Sequence, residues 1–270
     1  MSTITIDRTT TPARTTAESP LDMLRAAVRI ARIELRLLLR EPMVAFGMVG
    51  FPAVTVLVLA GVFGDVPDPD FGGVAPSDHY LAGYIGVVLG ALGLITIPTH
   101  IATHREHGVL RRFRAAGVSA PTMLVSEILL GIVVGAIAVA TVLGVGTAVY
   151  GFQMPTSPWR AGAWFVTGLG CFIAIGVGLG LLMPTGRSAT AIGNMAFIPM
   201  FLLGGGGPPR EVMTEPMHLI ADILPLTHII GGLRHSWLGA TDDPHILWWP
   251  LLVATLAVAA GLRAARRTSG

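Results

Sequence analysis

The sequence predicts an all-α integral membrane protein. Six transmembrane helices, an N-terminal amphipathic interfacial helix and short re-entrant helices before the last span are expected, with both termini cytoplasmic. The 270 residues are 52% hydrophobic and only 13% charged, whereas a soluble domain has about 25% charged residues. Long runs contain no Asp, Glu or Arg, as a helix crossing the roughly 30 Å hydrocarbon core requires. Arginines are concentrated in some of the segments between these runs and scarce in others, a pattern that sets topology.

The basic residues exclude several activities, because all 18 of them are arginine. Without lysine, the chain lacks both the P-loop cation that binds nucleotide phosphates and an amine for a Schiff base. Another chain must therefore bind any ATP and Mg²⁺, and we expect neither a cofactor nor enzymatic activity in this one. The single cysteine, Cys171, lies in an apolar run and has no partner for an internal disulfide.

The N-terminal part combines a tail and a helix. Residues 1–19 are rich in Thr, Ser and Pro and are predicted to be a disordered cytoplasmic tail. Ser19-Pro20 is a typical helix start, so a helix is predicted over 20–41. Its arginines fall on one face: Arg25, Arg29, Arg32, Arg36 and Arg40. Such a basic amphipathic helix lies along an anionic membrane surface, either as a topology anchor alone or also as an elbow helix that contacts a cytoplasmic partner.

The six-span domain is predicted over residues 43–262. Its apolar stretches are Met43–Phe63, Tyr80–Pro98, Ile128–Tyr150, Ala161–Met183, Ser188–Leu203 and Ile246–Leu262, of which the last two are shorter. Arginines precede the first stretch and follow both the second and the last, whereas the loop 64–79 has four aspartates and no arginine. Because loops rich in arginine stay on the cytoplasmic side, both termini are predicted to be cytoplasmic, including the tail 263–270.

The loop 99–121, between the second and third spans, is the strongest candidate for contact with another protein. Val109, Leu110 and Phe113 fall on one side of a short helix, and arginines surround the rest of it. An apolar ridge with positive charge around it fits a groove on a partner. The alternative interpretation is a solvated charged loop.

Three histidines in the same region raise the question of a metal site. His100, His104 and His107 have the spacing i, i+4 and i+7, and three histidines can hold a catalytic zinc. The spacing is not that of H-E-x-x-H, and three nearby arginines would repel a cation, so we expect no metal. Glu127 is the only acid close to the inner end of a span, and we expect it to snorkel or to pair with a neighbouring arginine.

The fifth span and the segment after it contain the remaining features. Asn194 is a polar amide within an apolar run, and such a residue either joins helices or lines a substrate path. The segment 204–245 is apolar but repeatedly interrupted by Gly and Pro. We therefore expect an external re-entrant segment of two short helices buried in protein, with a surface amphipathic hairpin as the alternative.

These features together resemble the permease subunit of ABC-2 type exporters, a family that includes daunorubicin-type drug and antibiotic exporters, over about residues 20–267. Arg105-Glu106-x-Gly108-x-Leu110 followed by Phe113 is similar to the cytoplasmic coupling helix of that family. Pro209-x-Glu211, Pro216, Ile223-Leu224-Pro225-Leu226-Thr227 and Gly232-Leu233-Arg234 resemble its re-entrant segment. The chain departs from the pattern at Gly117, where many members carry proline, and in the polyglycine 204–207.

The resemblance implies a pair of permeases, identical or different, above two separate ATPase subunits that bind ATP and Mg²⁺. The residues expected to couple ATP hydrolysis to the membrane domain are Arg105, Glu106, Gly108, Val109, Leu110 and Phe113. Asn194, Pro225 and Thr227 are expected along a substrate path. The predicted function is export of an amphipathic drug, antibiotic or lipid-like compound across a bacterial plasma membrane, with multidrug efflux as one form. Membrane lipid and the second permease are expected partners, and nucleic acid is not.

Two alternatives remain at this point. One keeps the family but changes the cargo to a polysaccharide or cell-envelope lipid. The other is a membrane-embedded metal-dependent enzyme that uses the three histidines. Neither a nucleophile–base pair nor paired intramembrane carboxylates are recognisable in the sequence to support the enzyme.

Overall fold

The computed structural model describes residues 19–63, 66, 69, 75–115, 118–208, 210–239 and 248–268. Every regular element in these ranges is a helix, which confirms the predicted all-α class. The predicted N-terminal tail lies outside the described residues, except for Ser19. The main helices are α1 (Pro20–Arg40), α2 (Pro42–Ala45), α3 (Phe51–Phe63), α4 (Pro76–Ala91), α5 (Ile97–Glu106), α6 (Val109–Ala115), α7 (Ala120–Tyr150), α8 (Pro158–Leu182), α9 (Gly186–Phe201), α10 (Glu215–Ile223), α11 (Pro225–Leu238) and α12 (Trp248–Thr268).

The helix α1 begins where Ser19-Pro20 predicts it. The side chain of Ser19 accepts a hydrogen bond from the backbone N–H of Asp22 at 3.2 Å, which satisfies one of the donors left free at a helix start. The inner face of the helix packs on α7 and buries Ala27, Ala31 and Leu38. The five arginines predicted to share a face are all exposed, so the helix is amphipathic as its sequence indicates.

Within the described ranges, four helical stretches are long and apolar enough to cross a membrane. They are His79–Glu106, Pro121–Tyr150, Pro158–Leu182 and Gly186–Gly206, with lengths of 28, 30, 25 and 21 residues. A π-helical turn over Leu92–Thr96 joins α4 to α5 within the first of these stretches. The helices α10 and α11 are bent by 91° and add a fifth span if the pair counts as one.

The six-span count stays a prediction. The stretch predicted as the first span is helical from Pro42 to Phe63, but a π-helical turn over Phe46–Gly50 divides it. The apolar part of the last helix, Trp248–Arg263, is shorter than the four long stretches.

Close helix packing positions the functional region. The π-helical turn between α4 and α5 packs against both α8 and α9. A Cβ added at Gly193 of α9 would overlap the carbonyl oxygen of Leu94 in this turn, and one at Gly176 of α8 would lie 2.6 Å from the carbonyl oxygen of Gly93. Glycine is therefore required at both positions, because it lets the backbones approach to a distance that a side chain would prevent.

Candidate functional site

The junction of α5 and α6 lies inside the predicted coupling loop. The helix α5 ends at Glu106, and Gly108 adopts a left-handed conformation with φ of +66°. A residue with a Cβ is strained at such an angle, which explains a glycine between the two helices. The chain then turns into the seven residues of α6.

Arg105 binds the end of another helix. Its Nη1 donates hydrogen bonds to the carbonyl oxygens of Gly180 at 3.2 Å, Met183 at 3.4 Å and Leu181. These carbonyls lie at the C-terminus of α8, where the last carbonyls have no partner in their own helix. A positive charge there also interacts favourably with the helix dipole.

Glu106 binds the start of the next helix. Its Oε2 accepts a hydrogen bond from the backbone N–H of Gly186 at 2.9 Å, and Gly186 is the first residue of α9. The negative charge therefore lies at the N-terminus of that helix, where the dipole favours it. The two residues therefore bind the two sides of one short connection between α8 and α9, which we call the 183–186 turn. We refer to them as the Arg105–Glu106 pair.

This geometry changes the interpretation of the coupling residues. The Arg105–Glu106 pair makes intramolecular bonds, so it links α5 to α8 and α9. Val109 and Phe113 of α6 are half-buried and Arg112 is exposed; the side chain of Leu110 lies outside the described part. Contact of these residues with an ATPase stays a prediction.

Glu127 does not pair with an arginine among the described residues, and that expectation was wrong. Its side chain is only 5% exposed and lies between two histidines of α5. The Nδ1 atoms of His100 and His104 are 3.6 Å from Oε2 and 3.1 Å from Oε1 of Glu127, respectively. His107 is not part of this group, because it is exposed and its Nδ1 contacts the carbonyl oxygen of Thr103 in its own helix. Two of the three predicted histidines therefore share a site, and the third does not.

Glu34 lies near this group, and the sequence pattern did not predict it. It lies on α1, is half-buried, and is close enough to Glu127, His104 and His100 for their charges to act on it. Burial, together with the negative charge of Glu127, raises the pKa of Glu34 from its ordinary 4.5 to about 7. The signal was present, since Glu34 is the only acid in the interior of an otherwise basic helix. Glu34, His100, His104 and Glu127 are called the His–Glu cluster below.

A cavity of about 460 Å³ lies among α3, α4, α7 and α9. This volume is within the range of small-molecule sites, roughly 300–1,000 Å³. Its lining is mostly apolar, and Asn194 and Thr96 supply polar groups. The amide of Asn194 donates to the carbonyl oxygen of Thr190 at 2.9 Å and is otherwise exposed. Asn194 therefore lines a cavity, and lining a substrate path is one of the two roles predicted for it.

The other two residues expected along the path lie elsewhere. Pro225 and Thr227 are buried at the bend between α10 and α11, and the hydroxyl of Thr227 donates to the carbonyl oxygen of Ala221 at 2.6 Å. Their position supports the 91° bend. A second apolar cavity, of about 420 Å³, is lined in part by Gln153, Phe165 and Trp237.

Comparison with known proteins agrees with the architecture. A family model described as ABC-2 type transporter matches residues 26–238. The match runs from within α1 to the end of α11 and includes the Arg105–Glu106 pair, the His–Glu cluster and both cavities. No curated protein matches the chain.

Proposed function

Because this chain belongs to the ABC-2 type transporter family, we propose that it is the permease subunit of an ATP-driven exporter for an amphipathic drug, antibiotic or lipid-like compound. The chain is a multi-pass membrane protein and a transport component. We further propose that the chain has six spans in a bacterial plasma membrane and that both of its termini lie in the cytoplasm. Its proposed partners are a separate ATPase subunit and a second permease.

The absence of lysine supports a separate ATPase. The chain has 18 basic residues and all are arginine, so it has no residue for the P-loop role. The energy for transport must then be applied from outside the chain. The helix α6 is suited to receive it, because Val109 and Phe113 are half-buried beside the exposed Arg112.

The observation that carries the coupling proposal is the position of the Arg105–Glu106 pair. Only His107 and Gly108 separate these two residues from α6, and the pair binds both sides of the 183–186 turn. A force that displaces α6 therefore acts on α5 and, through three backbone carbonyls and one backbone N–H, on the ends of α8 and α9. Since α9 lines the 460 Å³ cavity, the same displacement changes the shape of that cavity.

The cavity supports an amphipathic cargo. Its wall is apolar apart from a few groups such as the Asn194 amide and the Thr96 hydroxyl. Pockets of this kind bind a ligand by apolar burial and orient it by a small number of hydrogen bonds. A molecule with one polar group on an apolar body matches this lining better than a polysaccharide, which needs many hydrogen-bonding partners.

Co-purification tests the partner. The tagged chain is expected to retain an ATPase subunit when it is extracted gently from its own host, and Arg112→Glu is expected to reduce the retained ATPase at least about tenfold, since a charge reversal at an interface costs several kcal/mol. Arg263→Glu is the matched control, because Arg263 is also exposed and lies on α12, away from the loop. Equal recovery of the ATPase with both variants would contradict docking through α6.

A transport assay tests the cargo path. Vesicles that contain the chain and its ATPase are expected to accumulate an amphipathic fluorescent dye in the presence of ATP. Asn194→Leu keeps the side-chain volume but removes the amide, and we expect it to raise KM about five- to tenfold, which corresponds to the loss of one hydrogen bond. Unchanged kinetics with this variant would place the path elsewhere.

A further inference from the structure

The His–Glu cluster has no part in the proposed transport cycle. It brings together side chains from three helices that are distant in sequence: Glu34 from α1, His100 and His104 from α5, and Glu127 from α7. Its residue types are the imidazole and carboxylate groups that bind transition-metal ions.

The arrangement has the dimensions of a metal site. His100 and His104 are one helical turn apart on α5, so their rings lie on one face with centroids 5.7 Å apart. One ligand atom from each of His100, His104 and Glu127 lies within 4.8 Å of the other two. In a tetrahedral zinc site with bonds of about 2.0–2.1 Å, neighbouring ligand atoms are about 3.3 Å apart. The contacts of 3.1 Å and 3.6 Å, each to a different oxygen of Glu127, are close to this spacing, and rotation of the side chains would bring one atom of each residue to it.

The buried carboxylate oxygens provide a second observation. Glu127 is 4% exposed, and the contact of its Oε1 with Nδ1 of His104 at 3.1 Å is not a well-aligned hydrogen bond, while Oε2 of Glu34 is buried without a partner. A buried acceptor left unsatisfied is costly and calls for an explanation such as an ion. A cavity of about 10 Å³ borders His100 and Glu127, which is about the space of one water molecule.

The arginines of the loop are expected to repel a cation at this site less strongly than their positions in the sequence suggest. The guanidinium group of Arg105 is directed to the carbonyl oxygens of α8, and Arg112 is exposed on α6. A cavity of about 70 Å³, lined by His104, Arg105 and Glu127 among others, borders the cluster.

We propose that His100, His104 and Glu127 bind a divalent transition-metal ion of the zinc class, with Glu34 as a nearby carboxylate that adds negative charge to the site. The ion joins α5 and α7. This proposal departs from the sequence-based expectation of no metal. It does not depend on the cargo, because each of its ligands is a residue of this chain.

Metal binding by the purified full-length chain tests the proposal. The protein, prepared without a polyhistidine tag, is stripped with a chelator, dialysed against Zn²⁺ and measured by elemental analysis. We expect about one Zn²⁺ per chain and a rise in Tm of about 5 °C or more at saturating Zn²⁺. Co²⁺ in the same site is expected to give the visible absorption of a tetrahedral centre.

Matched variants separate this site from the other histidines. Glu127→Gln and the double variant His100→Gln/His104→Gln are expected to lose the bound Zn²⁺ and the Tm shift. Glu34→Gln is expected to weaken binding about 10- to 100-fold, and His107→Gln to leave it unchanged. A variant counts only if its elution volume in size-exclusion chromatography matches that of the parent chain. Absence of bound Zn²⁺ in the parent, or equal binding by Glu127→Gln, would overturn the proposal and leave the cluster as an ion-pair network.

Discussion

Replacing Glu106 by alanine is expected to loosen the start of α9 while the rest of the chain stays folded. The carboxylate of Glu106 accepts the hydrogen bond of the Gly186 N–H at 2.9 Å. The N-cap residue Thr185 binds a different amide, that of Ser188. Glu106 therefore supplies the partner that the helix itself does not provide for Gly186, and its removal leaves this N–H without an acceptor.

The size of the effect follows from the type of bond. A hydrogen bond to a charged group contributes about 1.5–3 kcal/mol, and the exposure of Glu106 favours the lower end of that range. A loss of about 1.4 kcal/mol raises the population of the locally open state about tenfold. Glu106→Gln keeps an acceptor but loses the charge, so it is expected to raise that population by only about threefold.

Hydrogen exchange measures this opening directly. Mass spectrometry of a peptide over residues 183–190, from protein in detergent, is expected to show about tenfold faster exchange in Glu106→Ala. His107→Ala is the control, because His107 is exposed and contacts only its own helix. Exchange at the parent rate in Glu106→Ala, or equal acceleration in His107→Ala, would refute the assignment of Glu106 as the partner of α9.

The remaining predictions concern stability, each measured as a change in Tm in detergent. Gly108→Ala is expected to lower the free energy of unfolding by about 1–2 kcal/mol, because the φ of +66° at this position is strained for a residue with a Cβ. Gly108→Asn should lower it less, and an equal loss of stability in the two variants would contradict backbone strain as the cause. Gly193→Val should cost at least about 1–3 kcal/mol, because its side chain overlaps the Leu94 carbonyl; an unchanged Tm would show that α9 packs differently. Arg105→Leu is expected to cost about 2–3 kcal/mol through the loss of its bonds to α8, and a cost below 0.5 kcal/mol, roughly that of an ordinary surface substitution, would contradict them.

The fold class was predictable because local sequence determines it. Hydropathy over about 20 residues identifies a helix that crosses a membrane, and the Ser19-Pro20 pair locates the start of α1. The number of spans is harder to predict, since it depends on how interrupted helices such as α10 and α11 are arranged. Their 91° bend lies at Pro225, where the Thr227 hydroxyl donates to the carbonyl oxygen of Ala221. Hydropathy reports neither the angle of such a bend nor its depth in the membrane.

The functional contacts were less predictable, because they join residues far apart in the chain. Nearby sequence predicts that Glu127 snorkels or pairs with a neighbouring arginine, whereas the packed helices place it between His100 and His104. Arg105 is expected to couple ATP hydrolysis to the membrane domain, and its sequence context does not reveal that it also binds carbonyls about 75 residues away. A single sequence shows which side chains require partners, and only the packing of the helices shows which partners they find.

The last turns of α5 link most of the elements on which the proposed mechanism depends. Successive residues of a helix are rotated by about 100°, so His104, Arg105 and Glu106 point in three different directions. They contact α7, the end of α8 and the start of α9, respectively. Since α6 follows directly, a movement of α6 reaches α5 at the point where these contacts are made. A metal ion in the His–Glu cluster would fix α5 to α7. Because Glu106 points away from that cluster, Zn²⁺ is expected to leave the fast exchange at 183–190 in Glu106→Ala unchanged, while it slows exchange of the α7 residues around Glu127.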